Sequence, residues 1–438
     1  MISLNKGYIV FLLLLFVLIF MSGCLLKEKE VTNGKENETY KNQEIAGNEI
    51  TNPNDEMENA VPMEQITDIK YIAASEQNSF ILTHNGELYS WGRNDKGELG
   101  LGHNTDVTIP TKISLEKKIK QIAPGAFAVA LTDEGEIYTW GVYDFGVREE
   151  DAHRFRRSPV KFDLPEKIIK IGDKGGVGLA ISETGALYTW GWNYYGQRGD
   201  GTTRNHSFIP HKVDLPERII EASCTDSHVM ALTEAGNVYT WGSNFFGEIG
   251  DEKPVAYRIG GELIENNVLK PYKVNFEKKI IAIATGRGAS YALDEDGVLY
   301  SFGANDVGQL GVGDSSIETS SVPLRVAVDK KVKMVVSGNF HAYALTEDDT
   351  LYGWGRNSSD GVISVLGLGT TEPIIYEPQV INISDKIISM SAGNGQTWAL
   401  TEGGAVYGWG DNSFKQISLE LPWRVNTPTR ISLYTANK

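Results

Sequence analysis

The sequence predicts an all-β fold, a seven-bladed β-propeller, and three observations carry that prediction. A string of apolar residue, Tyr, small residue, aromatic and Gly recurs seven times, first as Leu88-Tyr89-Ser90-Trp91-Gly92 and then ending at Gly141, Gly191, Gly242, Gly303, Gly355 and Gly410. The aromatics of the fourth slot (Trp91, Trp140, Trp190, Trp241, Phe302, Trp354 and Trp409) lie 49, 50, 51, 61, 52 and 55 residues apart, a period that suits one small antiparallel sheet per repeat. Upstream of each string sits a second apolar run, such as Phe127-Ala128-Val129-Ala130-Leu131 or His341-Ala342-Tyr343-Ala344-Leu345, so every repeat contains a hairpin.

Within one repeat the elements follow in order. A first strand is suggested by Ile119–Ala123, Ile219–Ala222 and Ile280–Ala284. The hairpin turn then ends in Gly86, Gly135, Gly185, Gly236, Gly297 and Gly404, with Asp349 in the sixth copy, where a three-residue loop needs a positive φ. In the third strand Tyr and Trp are two residues apart and share one face, while the apolar and Ser/Thr/Gly positions share the other. The Gly after each aromatic marks close backbone approach or a strand exit. A last strand is suggested by Pro-flanked segments such as Thr111-Lys112-Ile113 and Pro271-Tyr272-Lys273-Val274. A blade of this size cannot bury its apolar faces alone, so the seven sheets must stack in a closed ring with the seven aromatics in its core.

After the aromatic-Gly pair, four copies continue with matching text: Trp91-Gly-Arg-Asn-Asp-Lys-Gly-Glu-Leu-Gly-Leu-Gly102, Trp190-Gly-Trp-Asn-Tyr-Tyr-Gly-Gln-Arg-Gly-Asp-Gly201, Trp241-Gly-Ser-Asn-Phe-Phe-Gly-Glu-Ile-Gly250 and Phe302-Gly-Ala-Asn-Asp-Val-Gly-Gln-Leu-Gly-Val-Gly313. This resembles the repeat of the regulator of chromosome condensation family, a seven-bladed propeller, over roughly residues 66–435. The second copy departs after Trp140, the fourth is lengthened between Asp251 and Leu269, the sixth carries an insertion around Ser358–Ser364, and the seventh loses its loop glycines. Such changes leave a ring intact and give individual loops their own character.

Ahead of the propeller (66–438) two further segments are expected. Lys6, the apolar run Tyr8–Met21 and then Ser22-Gly23-Cys24 resemble a bacterial lipoprotein signal peptide (1–23), with Cys24 as the lipid attachment site. A plain transmembrane anchor over Tyr8–Leu26 is the other reading. Residues 24–65 comprise that Cys and a disordered polar tether without apolar periodicity, whose r.m.s. reach is roughly 35 Å. Its charge of −6, from four Lys against ten acids, leaves −11 of the formal −16 on the propeller once Lys6 is set aside. The resemblance places the chain on the extracytoplasmic face of a bacterial membrane. With Cys24 lipidated there is no disulfide framework, and Cys224 reads as a buried thiol.

Catalytic chemistry finds little support in the residues. The seven histidines show no metal-ligand spacing, and His228 and His341 occupy equivalent slots four residues before a strand Leu, where a buried, hydrogen-bonded role is expected. Acid pairs such as Asp133-Glu134 and Asp294–Asp296 fall in hairpin turns, where carboxylates are expected to be solvated. There is no nucleophile elbow, phosphate loop or His-Glu-x-x-His. The expectation is a non-enzyme with no catalytic residues, cofactor or metal. Eukaryotic members of the resembled family act on chromatin and on a nuclear small GTPase. A lipid anchor and an acidic propeller argue against both nucleic acid and that GTPase as partners.

Aromatic loops carry the functional expectation. Trp192, Tyr194 and Tyr195 in the third copy, Phe245 and Phe246 in the fourth, and Tyr143 and Phe145 in the second fall at equivalent positions, so ring symmetry should bring them to one rim. An aromatic just before the later Gly is common in the repeat and covers Tyr195, Phe246 and Phe145. Trp192, Tyr194 and Phe245 are less readily explained by packing. The sequence therefore reads as a non-catalytic, membrane-tethered surface propeller that binds an envelope or extracellular protein, or a glycan, through its loops. Two alternatives are an inhibitor of β-lactamases or penicillin-binding proteins, from resemblance to the β-lactamase-inhibitor propellers, and a surface enzyme acting on polysaccharide.

Overall fold

In the computed structural model, residues 63–142, 155–204, 206–253, 258–259, 262–263, 266–358 and 361–436 are described, and every regular element among them is a β-strand. Cys24, the rest of residues 1–62, and Tyr143 and Phe145 lie outside them. The first blade consists of Ile69–Ala74, Asn78–Thr83, Leu88–Gly92 and Val107–Lys112, paired antiparallel in sequence order. Six more four-stranded blades follow, with first strands Ile119–Pro124, Ile168–Lys174, Ile219–Cys224, Ile280–Gly286, Val332–Ser337 and Ile387–Ala392. Each first strand packs beside the next around a central axis, and the seventh returns to the first, closing the ring.

The seven fourth-slot aromatics are the interior, none more than 1 % exposed. Several stitch one blade to the preceding one. The indole N–H donates to the loop carbonyl of Glu98 from Trp140 (2.9 Å), of Gln197 from Trp241 (2.7 Å) and of Gln309 from Trp354 (3.0 Å). Burying a Trp with its N–H satisfied combines a large apolar contribution with no orphaned donor. The Gly following the aromatic is a point of close approach: a Cβ at Gly191, which has φ 98°, would lie 2.3 Å from the carbonyl oxygen of Gly176.

Every blade is completed by strands of its own repeat, the fourth with a small hairpin of Arg258–Ile259 and Glu262–Leu263 inserted before its last strand. Closure between the seventh and first blades is made by side chains instead. Trp398 Nε1 donates to Ser79 Oγ (2.9 Å), Ser79 Oγ to Gln416 O (2.8 Å), and Gln396 Nε2 to Asn78 O (2.7 Å). Outside the ring, Met63–Gln65 pairs with Tyr434–Ala436. That strand begins just ahead of residue 66, where the repeat pattern starts.

The hairpin turns take the expected form, with Asp349 at φ 65° where six copies have Gly. One reading of the turns needs correction. Asp294 is fully buried rather than solvated, and its carboxylate accepts the N–H groups of Asp296 (3.0 Å) and Val298 (2.8 Å). It stands where other copies have Thr or Ser, whose hydroxyls accept the same N–H four residues on, as Thr83 does from Glu87 (2.9 Å) and Thr401 from Ala405 (3.0 Å). The turn needs a side-chain oxygen there, and a carboxylate supplies one.

Candidate functional site

Because strands alternate in direction, the two ends of the ring differ in kind. One end carries the hairpin turns and the links between blades. The other carries the short connections from first to second strand and the long loops from third to fourth, so the aromatic loops and one mouth of the central channel share it. The loops are rigidly built. Asn193 Oδ1 accepts Arg198 N–H (3.0 Å) while Nδ2 donates to Thr202 O (3.0 Å), and Asn94, Asn305, Asn357 and Asn412 hold their loops in the same way. Asn357 and Asn412 do so in copies whose loops carry an insertion or have lost their glycines. A Glu or Gln then reaches back to pin the backbone under the loop tip: Gln197 accepts Tyr195 N–H (2.8 Å) and Glu248 accepts Phe246 N–H (2.7 Å).

On these pinned loops the structure brings three of the predicted aromatics into ring contact, with Phe246 next to them in sequence on the loop of Phe245. Tyr194 lies 6.5 Å from Tyr195, and Tyr195 meets Phe245 of the next blade edge to face at 5.8 Å. Phe246 covers Gly288 of the fifth blade. Tyr194 and Phe246 are 50 % and 45 % exposed, so Phe246 is presented rather than packed away. Trp192 differs from the sequence expectation. It is half-buried against the core cluster containing Val177 and Cys224, and it covers Gly176 at the rim of the channel. It supports the patch, 6.1 Å from Tyr194, more than it offers contact.

Behind this patch the channel mouth opens into a cavity of about 490 Å³, whose lining includes Lys174, Trp192, Asp226, Arg287, Asn339 and Asn394. Lys174 spans the channel from the third blade, and its ammonium donates to Ser337 O (3.0 Å), Gly338 O (3.0 Å) and Thr285 O (3.3 Å) of the fifth and sixth blades. Desolvation pushes its pKa down to about 8. His228 and His341 are buried as expected, both held near pKa 3 chiefly by burial and secondarily by the Lys174 charge, so both are neutral at pH 7. His228 Nε2 meets Ser290 Oγ at 2.9 Å, whereas His341 Nε2 has no hydrogen-bond partner among the described residues, contrary to expectation. Cys224 is buried with its sulfur 3.2 Å from Val177 O. Among the described residues no group of three His, Cys, Asp or Glu side chains could hold a metal.

Sequence reasoning missed a set of arginines stacked on aromatic rings at the same end. Arg93 lies over Phe414 (5.5 Å), Arg424 over Trp423 (5.0 Å), and both Arg287 (5.7 Å) and Arg356 (4.1 Å) over Phe340. Arg93, Arg287 and Arg356 reach rings supplied by other connections or blades, and no repeat rule pairs them. The Trp423-Arg424 dipeptide was the one local signal.

Comparison with known proteins bears on this arrangement. The family model described as RCC1-like domain matches residues 149–438, and two models of the regulator of chromosome condensation (RCC1) repeat match residues 85–131 and 69–98. The chain is 34 % identical over 305 residues to the ultraviolet-B receptor UVR8 of Arabidopsis thaliana, covering 69 % of this chain and 55 % of that protein. It is 32 % identical over 362 residues to the mitochondrial RCC1 domain-containing protein RUG3 of the same plant, covering 81 % and 68 %. It spans about half the length of UVR8 and 6 % of the mouse E3 ubiquitin-protein ligase HERC2. Among solved structures, human WBSCR16 superposes with a TM-score of 0.68 at 19 % identity, covering 79 % of this chain and 95 % of that one. Prp20p of Saccharomyces cerevisiae, studied for its binding to Gsp1p and histones, gives 0.65 at 22 % identity, covering 84 % and 90 %. At those identities the likeness is one of fold.

Proposed function

Since the chain belongs to the family of regulator of chromosome condensation (RCC1) repeat proteins, we propose that it is a non-catalytic propeller that binds a protein partner through its loop end, held by a lipid on Cys24 at the extracytoplasmic face of a bacterial membrane. The observation that carries the binding reading is the ridge Tyr194–Tyr195–Phe245–Phe246. These side chains lie together on loops whose backbone is pinned by Asn193, Gln197, Asn244 and Glu248, and two of them are about half exposed. Rigidly held, exposed aromatics of adjacent blades have the character of interface hot spots. Protein binding is also the behaviour described for Prp20p.

The anchoring reading rests on the sequence of residues 1–24. Intact-mass analysis tests it: a diacylated or triacylated chain beginning at Cys24 is expected, and a mature chain that is unacylated or keeps residues 1–23 removes the anchor. For the binding reading, the immobilised chain is presented with solubilised cell envelope. A partner retained by wild type should be lost from a Tyr194→Ala/Phe245→Ala/Phe246→Ala variant, by about 2 kcal/mol or more if these are hot spots. Equal retention with an unchanged thermal transition would remove the ridge from the interface.

A further inference from the structure

The aromatic ridge runs on into a cationic sector. Phe246 covers Gly288, and the residue before it is Arg287, whose guanidinium leans toward Phe340 of the sixth blade. Arg356 stacks on that same ring at 4.1 Å. The two arginines are not held alike. Arg287 is exposed and reaches Asp226 at 3.4 Å. Arg356 is half-buried, and among the described residues its guanidinium makes no hydrogen bond or ion pair. Arg93 shows how the same end holds a guanidinium that needs nothing more: Asp95 takes it at 2.7 and 3.0 Å and Gln77 at 2.6 Å.

A guanidinium partly shielded from water without an anion carries part of that desolvation cost uncompensated, and a ring face offsets only some of it. Burial accordingly pulls the Arg356 pKa downward, with Arg287 adding to the effect and Asp306 opposing it. We propose that Arg287 and Arg356, set about the Phe340 ring, are the anchor for carboxylates of an acidic segment on a protein partner, with the apolar side chains of that segment lying along Tyr194–Phe246. This rests on the reading that the loop end is the protein-binding end. Carboxylate is favoured over phosphate because Asp226 already stands beside Arg287 and Glu76 lies on the same mouth, so a dianion would meet more repulsion than a monoanion. Guanidinium forks match a carboxylate, and the unengaged Arg356 leaves its donors available.

A phage-displayed library of random dodecapeptides, panned on the full chain, tests the inference. Wild type is expected to enrich peptides that place Asp or Glu beside aromatic or aliphatic residues. A synthetic peptide from that pool should bind at least tenfold more weakly when its Asp and Glu are replaced by Asn and Gln. It should also lose at least fivefold on R356Q, and on R287Q, whose exposed position keeps the test available if R356Q does not fold. Enrichment of acid-free peptides, absence of enrichment, or undiminished binding to folded R356Q and R287Q overturns the anchor, as does preference for a phosphotyrosine peptide over its acidic counterpart. A Tyr194→Ala/Phe246→Ala variant separates the two claims. Loss there with undiminished binding to the arginine variants would overturn the anchor and leave the aromatic reading standing, and the reverse pattern would do the opposite.

Discussion

In the third and fourth repeats two populations of aromatic side chain lie within six residues of one another, and they do opposite things. Trp241 is fully buried and its N–H is bonded to the preceding blade, while Phe246, five positions on, is 45 % exposed at the tip of a loop pinned by Glu248. The residue types are similar. What separates them is whether the neighbouring blade supplies a surface to pack on, so composition of the loop says less than its place in the ring.

The largest test of that contrast is Trp354→Ala. Removing a side chain enclosed by the fifth and sixth blades should cost about 3–5 kcal/mol in denaturant unfolding, and a loss below about 0.5 kcal/mol would show the interior assignment to be wrong. Next comes Gly311→Ala. Gly311 has φ 64° and its added Cβ would fall 2.6 Å from the Trp354 ring, so a loss of about 1–3 kcal/mol is expected from strain and overpacking. An unchanged midpoint would mean the loop does not press on that indole.

A finer comparison lies within the interior. Trp241 donates to Gln197 O, whereas the buried Trp190 Nε1 has no hydrogen-bond partner among the described residues. Trp241→Phe should therefore cost more than Trp190→Phe by about 1 kcal/mol, because only the former strips a made hydrogen bond. Equal costs would show that the indole bonds contribute nothing net. On the rim, Tyr194→Ala and Phe246→Ala should each change stability by less than about 0.5 kcal/mol. A larger loss would mean they are packed and would erase the distinction between the populations.

The smallest effect is expected at the turn end, where polar groups satisfy one another. Hydrogen bonds from Thr184, Tyr188, Ser182 and Lys212 hold the Glu166 carboxyl down at about 2. With the folded value below the unfolded one, the stabilisation is complete above the ordinary carboxylate range and is lost as pH falls from about 5 toward 2. The stability gap between wild type and Glu166→Gln should close over that window. A gap independent of pH there would show that the carboxylate charge is not what the cluster uses.

Much of the ring was legible because its rules are local and repeated. The fourth-slot aromatics, the glycines after them and the hairpin turn at Asp349 each follow from a short string read seven times. Asn357 was obscured by the insertion that follows it and Asn412 by the lost glycines around it, yet both keep the loop bonds, because one buried amide suffices to tie both sides of a loop. Asp294 was misread since an acid in a turn is usually solvated, and its equivalence to Thr83 shows only once the copies are superposed as hairpins.

The sequence by itself determined the number of blades, the order of strands and the interior aromatics, since those depend on periodicity and on contacts within one repeat. Only the tertiary structure decided that Trp192 supports the rim, that Lys174 reaches across the channel to Ser337 and Gly338, and that Arg287 and Arg356 meet at Phe340. The physical reason is distance along the chain. Lys174 and its carbonyl partners lie on different blades, more than a hundred residues apart, and a repeat pattern carries no information about which side chains of separate copies face one another when the ring closes.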